Sequence, residues 1–378
     1  MRTSAAIAHA PHTPLLIEEV DLEEPRPDEV LVRVVAAGIC HTDLIIRDGW
    51  FPTKLPAVLG HEGSGVVEAV GANVDGFAPG DHVLMSFNSC GRCTHCLRGA
   101  PAYCMNFWAY NFAATRPDGT RAIRLNSEEI GSHFFGQSAF AEHCLATARN
   151  LVKVAADIDL EKSAPLGCGI QTGAGAVLNT LRPSAGDAIA VFGAGAVGLS
   201  AVMAAHMSGC SVIAAIDRVP ARLSLARELG ATHTFDSADA ATAKSLRELT
   251  AGGVDFAIEA TGVPGVVRAA MDSLATGGTC ALIGAAASRT TAEIDISTLL
   301  FGRKLIGIIE GDSVPQLFIP ALLDLNARGL FPFERLVSVF DFNDINAAVA
   351  GAESGALVKP VVRMWHGFGL LDRGRSPR

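Results

Sequence analysis

Ala188-Ile189-Ala190-Val191-Phe192-Gly193-Ala194-Gly195-Ala196-Val197-Gly198 decides the fold of this chain. A short apolar run, then G-x-G-x-x-G, then an alanine-rich helix-capable stretch is the strand–turn–helix of a dinucleotide-binding fold. The first glycine, Gly193, permits the turn, Gly195 lets a pyrophosphate approach the backbone, and Gly198 lets helix pack on strand. The helix N-terminus then faces the phosphates. Alone the motif is weak, but Asp217 follows Gly198 by 19 residues at the end of a second apolar run. A carboxylate there accepts from the ribose hydroxyls and repels a 2′-phosphate, which favours NAD over NADP. Arg218 beside it argues the other way, and the alternative for Asp217 is a cap on the following helix.

Outward from this motif, strand patterns at 187–192, 211–217, 232–236, 254–259, 279–283 and 304–309 alternate with helix patterns from Val197 and over 220–229. Six such strands predict a doubly wound parallel sheet, a Rossmann cofactor domain. Residues 188–216 carry no Asp, Glu, Lys or Arg, a length that could nominally span a bilayer. Its glycines and its β-branched ends read better as buried strand, turn, helix and strand. The N-terminal region differs: valine-rich runs at 30–36 and 63–70 are bounded by Gly, Pro and acidic residues, a β pattern without long helices. Past the sheet, 314–328 and 343–354 read as amphipathic helices and 357–364 as a closing strand, before a basic tail expected to be mobile.

With 378 residues, 49% hydrophobic, 18% charged and 39 glycines, the chain suits two well-buried α/β domains. A net charge of −9 leaves no basic footprint for nucleic acid. The N-terminus lacks an export-signal pattern, so no membrane association and a reducing cytoplasm are expected, where clustered cysteines bind metal more often than they oxidise.

Cys90, Cys93, Cys96 and Cys104 are spaced C-x2-C-x2-C-x7-C. Four thiolates so close in sequence can wrap one Zn2+ at about 2.3 Å, and a closed tetrathiolate shell leaves no position for substrate. Arg92, His95 and Arg98 can offset the excess negative charge. Paired disulfides and an iron–sulfur cluster are the alternatives. A second set is scattered: Cys40 in Cys40-His41-Thr42-Asp43, His61 in Gly60-His61-Glu62-Gly63, and Cys168 between Gly167 and Gly169, each loop-like. Singly, each reads as a buried structural residue. Together, two thiolates and one imidazole leave a fourth metal position open, the mark of a catalytic zinc.

Through C-H-T-D, G-H-E-G-S-G-V-V, the four-cysteine clip, G-C-G-I-Q-T-G-A-G and G-A-G-A-V-G in that order, the chain resembles the zinc-containing medium-chain alcohol dehydrogenases over essentially its whole length. It is most similar to the bacterial aryl-alcohol (benzyl alcohol) group through Phe134-Phe135-Gly136-Gln137-Ser138, residues 167–175 and Glu310-Gly311-Asp312-Ser313-Val314-Pro315. The resemblance implies an α/β architecture: a β-rich GroES-like catalytic domain (1–169 and 309–378) and a Rossmann NAD-binding domain (170–308). It implies two Zn2+ per chain. Cys40, His61 and Cys168 would hold the catalytic one, with Glu62 as a transient ligand. Thr42 would take the alcohol proton, and Asp43 would orient His61. His41 and Lys359 would face the pyrophosphate, Arg222 the adenosine ribose, and Thr172 and Val197 the nicotinamide. Ile45 stands where many members have a proton-relaying histidine, so the proton route would use His41, or water through the cofactor ribose. A homodimer or homotetramer is implied, joined through the strand at 304–309.

The expected reaction is reversible oxidation of a primary aryl, allylic or terpenoid alcohol to the aldehyde. Trp50, Phe51, Phe87, Phe107, Trp108 and Phe112 are candidates for an apolar substrate wall. The rival readings are a thiol-dependent formaldehyde dehydrogenase and, from another class, a non-catalytic zinc-stabilised NAD-binding protein.

Overall fold

The computed structural model describes residues 1–236 and 241–364. The cofactor half is built on six strands, β1 Ala188–Phe192, β2 Val212–Ile216, β3 His233–Phe235, β4 Val254–Glu259, β5 Leu274–Leu282 and β6 Lys304–Gly307, in the order β3-β2-β1-β4-β5-β6. All five pairings are parallel. The strand order reverses between β1 and β4, and the crevice outside the carboxyl ends of the strands at such a switch point is where nucleotides bind. Side chains of β1 alternate: Ile189 and Val191 enter one hydrophobic cluster, Ala188, Ala190 and Phe192 another. That is why the whole strand is apolar, since helices cover both faces of the sheet. The charge-free 188–216 segment folds as strand, the helix Ala196–Met207 and strand. No helix among the described residues is long and apolar enough to cross a membrane.

The other half is predominantly β. Glu29–Gly38 is its central strand, flanked by Glu62–Val70, by His143–Thr147 and by Lys359–Arg363, all antiparallel to it. A five-stranded sheet led by Arg2–Ala8 packs its apolar residues into the same core as the central strand. The chain therefore leaves this half, builds the parallel sheet, and returns at Lys359–Arg363 to complete the sheet it began.

The sequence expectations translate with small changes of boundary: the late helices are Pro315–Ala327 and Ile345–Glu353. Two segments differ. The Cys40 and Cys168 regions, expected as loops, are helix starts: α1 His41–Arg47 and α2 Gly169–Gly175 begin immediately after the two cysteines. Both helices are too short, and α2 too rich in glycine, to show a helical apolar period. The basic tail lies outside the described residues.

Candidate active site and metal centres

One side chain sets the scattered cluster. Asp43, on the first turn of α1, accepts from the Cys40 backbone N–H through Oδ2 at 3.0 Å. Its Oδ1 accepts from Gly60 N–H at 3.1 Å and from His61 Nδ1 at 2.8 Å. A single carboxylate thus fixes the helix start carrying one ligand and the tautomer of the second, leaving His61 Nε2 as the free donor atom. That nitrogen is buried and has no hydrogen-bond partner. Ligand atoms of Cys40, His61, Glu62 and Cys168 all lie within 4.8 Å of one another. An orphaned imidazole nitrogen beside two thiols fits a borderline-soft divalent ion such as zinc.

Electrostatics support the same conclusion. The hydrogen bond from Cys168, with Lys359 and His61 nearby, holds the Cys40 thiol well below the usual range despite its burial. That bond and burial push Cys168 up. Burial alone would lower His61, but the Asp43 carboxylate and Cys40 raise it. The metal-free cluster therefore retains protons that an ion must displace, so metal binding here weakens as pH falls. Glu62, fully buried, is raised by its burial while Lys359 opposes. Both its oxygens accept from Lys359 Nζ, at 2.8 and 2.9 Å, and Oε1 also accepts from Gly169 N–H at 3.1 Å.

Lys359 is thus committed to a buried carboxylate and to Ile39 O at 3.3 Å, whereas the family resemblance would face it to a pyrophosphate. Thr42 is half-buried on the first turn of α1, and His41 beside it is exposed. Trp50 meets the His41 ring edge-on at 6.1 Å.

Phe51, Phe87, Phe107, Trp108 and Phe112 do form one aromatic cluster: Trp108 stacks on Phe112 at 4.6 Å, Phe51 meets both rings, and Phe87 joins through Phe107 at 5.8 Å. Among the described ring contacts, Trp50 touches only His41 and stands apart from it. Sequence reasoning missed the members nearest the metal site. Phe112 contacts Phe135 at 5.1 Å, and Phe135 lies 4.5 Å from the His61 ring, with Phe134 edge-on to His61 at 5.7 Å. The signal was present in Phe134-Phe135, but that run entered the sequence reasoning only through kinship.

The four-cysteine cluster is equally compact. The Sγ atoms of Cys90, Cys93, Cys96 and Cys104 lie within 4.8 Å of one another, and Cys93 and Cys96 approach to 3.5 Å. Backbone N–H groups of Cys90, Cys93 and Asn106 donate to sulfurs of the set at 3.3 to 3.4 Å. The sulfur–sulfur separations are far beyond the roughly 2.05 Å of a disulfide, and the four-thiol arrangement suits a shared ion instead. The cation against this turn is one the sequence did not suggest: the Arg149 guanidinium packs over Gly91 and donates to Ser89 Oγ at 3.0 Å.

The glycine motif shows three different needs. Gly193 has φ +96°, and a Cβ on Gly198 would fall 1.8 Å from Gly193 O. A Cβ on Gly195, the residue preceding helix Ala196–Met207, would meet nothing within 4 Å, which leaves open the approach a pyrophosphate requires. Asp217 closes the turn: Oδ2 accepts from Ala194 N–H at 2.7 Å, and Oδ1 from Val219 N–H at 2.8 Å ahead of the next helix. It shapes the turn without capping that helix, whose N-cap, Val219, has no side-chain cap bond, and it lies at the mouth of the crevice, with Arg222 at 4.0 Å. Arg222 donates to Leu357 O, and Arg218 is exposed. Thr172 donates to Cys168 O at 2.8 Å, and Val197 O presses on Gly173, packing α2 against the cofactor helix.

Residues 26–156 match the alcohol dehydrogenase GroES-like domain family, and residues 196–327 the zinc-binding dehydrogenase family. The chain is 43% identical to a geraniol dehydrogenase from Castellaniella defragrans over 95% of this chain and 96% of that protein. Two crystal structures superpose with a TM-score of 0.94. One is an alcohol dehydrogenase zinc-binding domain protein from Burkholderia ambifaria, at 50% identity. The other is the benzyl alcohol dehydrogenase of Acinetobacter calcoaceticus, at 43%. Each covers 97% of this chain and all of its own. With a parallel nucleotide-binding sheet, a closed thiolate cluster and an open Cys-His-Cys cluster in one chain, this protein belongs to the zinc-dependent medium-chain alcohol dehydrogenases.

Proposed function

We propose that this enzyme oxidises primary aryl or terpenoid alcohols to aldehydes with NAD, and that the aromatic wall ending on the His61 ring selects them. That wall is the observation that carries the reading, and the geraniol and benzyl alcohol dehydrogenases named above support it. Cys40, His61 and Cys168 would hold the catalytic zinc, which supplies Lewis acidity toward an alcohol oxygen. Gly193–Gly198 would hold the pyrophosphate of NAD and Asp217 its ribose, and the cofactor would supply the hydride acceptor.

The remaining work falls to side chains. Asp43 keeps His61 and Cys40 in register. Thr42, two residues beyond Cys40, would hold the proton leaving the alcohol hydroxyl as the carbinol carbon loses hydride. Ile45 is 3% exposed and carries no donor or acceptor, so it ends any relay through α1 at that point. His41, exposed at the same helix start, is the group left to pass the proton to solvent. Phe51, Phe112 and Phe135 exclude water and take up the organic portion of the substrate. Burying about 100 Å² more apolar substrate surface than ethanol offers contributes about 2.5 kcal/mol, a kcat/KM advantage on the order of 50-fold. An NAD-coupled panel of benzyl alcohol, geraniol, ethanol, and formaldehyde with and without glutathione tests this. A win for ethanol, or stimulation by the thiol, would sink the reading.

The unpaired cysteines suit a reducing cytoplasm. The two domains would divide near 169/170 and 308/309. β6 forms the sheet edge, with Ile296, Leu300, Phe301 and Ile309 exposed by 75, 84, 65 and 44%. A second copy pairing on this edge would cover them, giving a dimer or a dimer of dimers that sedimentation distinguishes.

A further inference from the structure

The two metal clusters are joined by a turn that belongs to neither. Tyr103, immediately before Cys104, directs its hydroxyl to Asp312 Oδ1 at 2.5 Å, with Gly307 O at 3.2 Å. The other Asp312 oxygen accepts from Thr180 Oγ1 at 2.6 Å, and Asn179 Nδ2 donates to Gly311 O at 3.0 Å. Two residues upstream, Glu310 is buried, with Oε1 3.6 Å from Cys168 Sγ and Oε2 accepting from Gln171 Nε2 at 3.3 Å.

Glu310, Gly311 and Asp312 have φ of +52°, +64° and +51°. Non-glycine residues rarely hold such a backbone unless their surroundings impose it, and those that do cluster at functional sites. Gly311 lies flat on α2, where a Cβ would come within 2.4 Å of Gln171 O. Among the described ion pairs none involves Asp312, so the Tyr103 and Thr180 hydroxyls are what anchor its carboxylate.

We propose that the 310–312 turn is a positioning element: pinned to the four-cysteine lobe by Tyr103, it holds Glu310 and α2 so that Cys168 faces Cys40 and His61. The state of the four-cysteine lobe thereby sets how firmly the catalytic zinc is held. The proposal rests on the reading that Cys40, His61 and Cys168 bind that zinc. Partners of this kind behind metal ligands alter affinity by about 10- to 100-fold when removed.

The test uses two-zinc holoenzyme challenged with a chromophoric chelator. Absorbance follows each zinc leaving, turnover on withdrawn samples shows which one left, and thermal unfolding is recorded in parallel. Tyr103→Phe and Asp312→Ala are expected to release the catalytic zinc about tenfold faster, with the other zinc and the unfolding midpoint at wild-type values. Asp312→Asn, which can accept from Tyr103 and donate to Thr180, restores retention to within about twofold of wild type. Wild-type release rates in Tyr103→Phe and Asp312→Ala would overturn the proposal. So would loss of both zincs together with a lowered midpoint, which marks a merely structural contact. A wild-type enzyme that is active with one zinc per chain overturns the zinc assignment itself and the inference with it.

Discussion

The four-cysteine cluster and the Cys40–His61–Cys168 cluster are equally tight in space and opposite in construction. The first draws its ligands from 15 consecutive residues and steadies them with its own backbone N–H groups. The second draws them from three segments spread over 129 residues and depends on Asp43 to bring two of them together. A local cluster can be completed by its own turn and so suits a structural ion. A scattered one must be held by the whole fold, which allows it to keep an open position.

The contrast can be broken most directly at Cys40. Cys40→Ser is expected to lower turnover by about 10³-fold or more, the loss of several kcal/mol of charge stabilisation. Metal analysis should then find one zinc, with NAD binding retained; two zincs in an inactive variant would show that Cys40 is no ligand. Glu29→Gln probes the fold apart from either metal. Burial would raise this carboxyl, but bonds from His133 and Arg116 outweigh it and hold its pKa at about 2 rather than 4.5. The stabilisation is therefore complete above about pH 4.5 and is lost as pH falls toward 2. At pH 7 the variant should be less stable by on the order of 3 kcal/mol, with the gap closing in acid and both zincs kept before unfolding. A gap that grows in acid would refute the sign.

Smaller effects sharpen the comparison. Asp43→Asn should weaken the catalytic metal by about 10- to 100-fold while the four-cysteine zinc holds, as competition with a chelator would show. Phe135→Ala should cut kcat/KM for benzyl alcohol by about tenfold and for ethanol by less. Equal losses for both alcohols would remove Phe135 from substrate selection.

The same contrast explains what could be read in advance. The four cysteines and the glycine turn are legible because spacing along the chain is the chemistry. Asp217 and β1 follow from the same locality. The catalytic trio gained meaning only from kinship and from the neighbouring motif, because nothing in a lone Cys40 or Cys168 separates a ligand from a buried thiol. Phe135 against His61 and Arg149 over Gly91 were illegible, since each joins segments more than 50 residues apart. Trp50 shows the converse: a place in the right loop does not fix the direction of a ring.

The Lys359–Glu62 pair imposes an order on assembly. Glu62 is fully enclosed, and among the described residues the cation bonded to its carboxylate is Lys359, which arrives 297 residues later on the strand that closes the sheet. Until residue 359 docks, the Glu62 carboxylate lacks that partner, and enclosing it in charged form beside two thiols would cost several kcal/mol. Truncation before that strand is expected to leave the catalytic pocket without both its closing strand and the cation that pairs with Glu62.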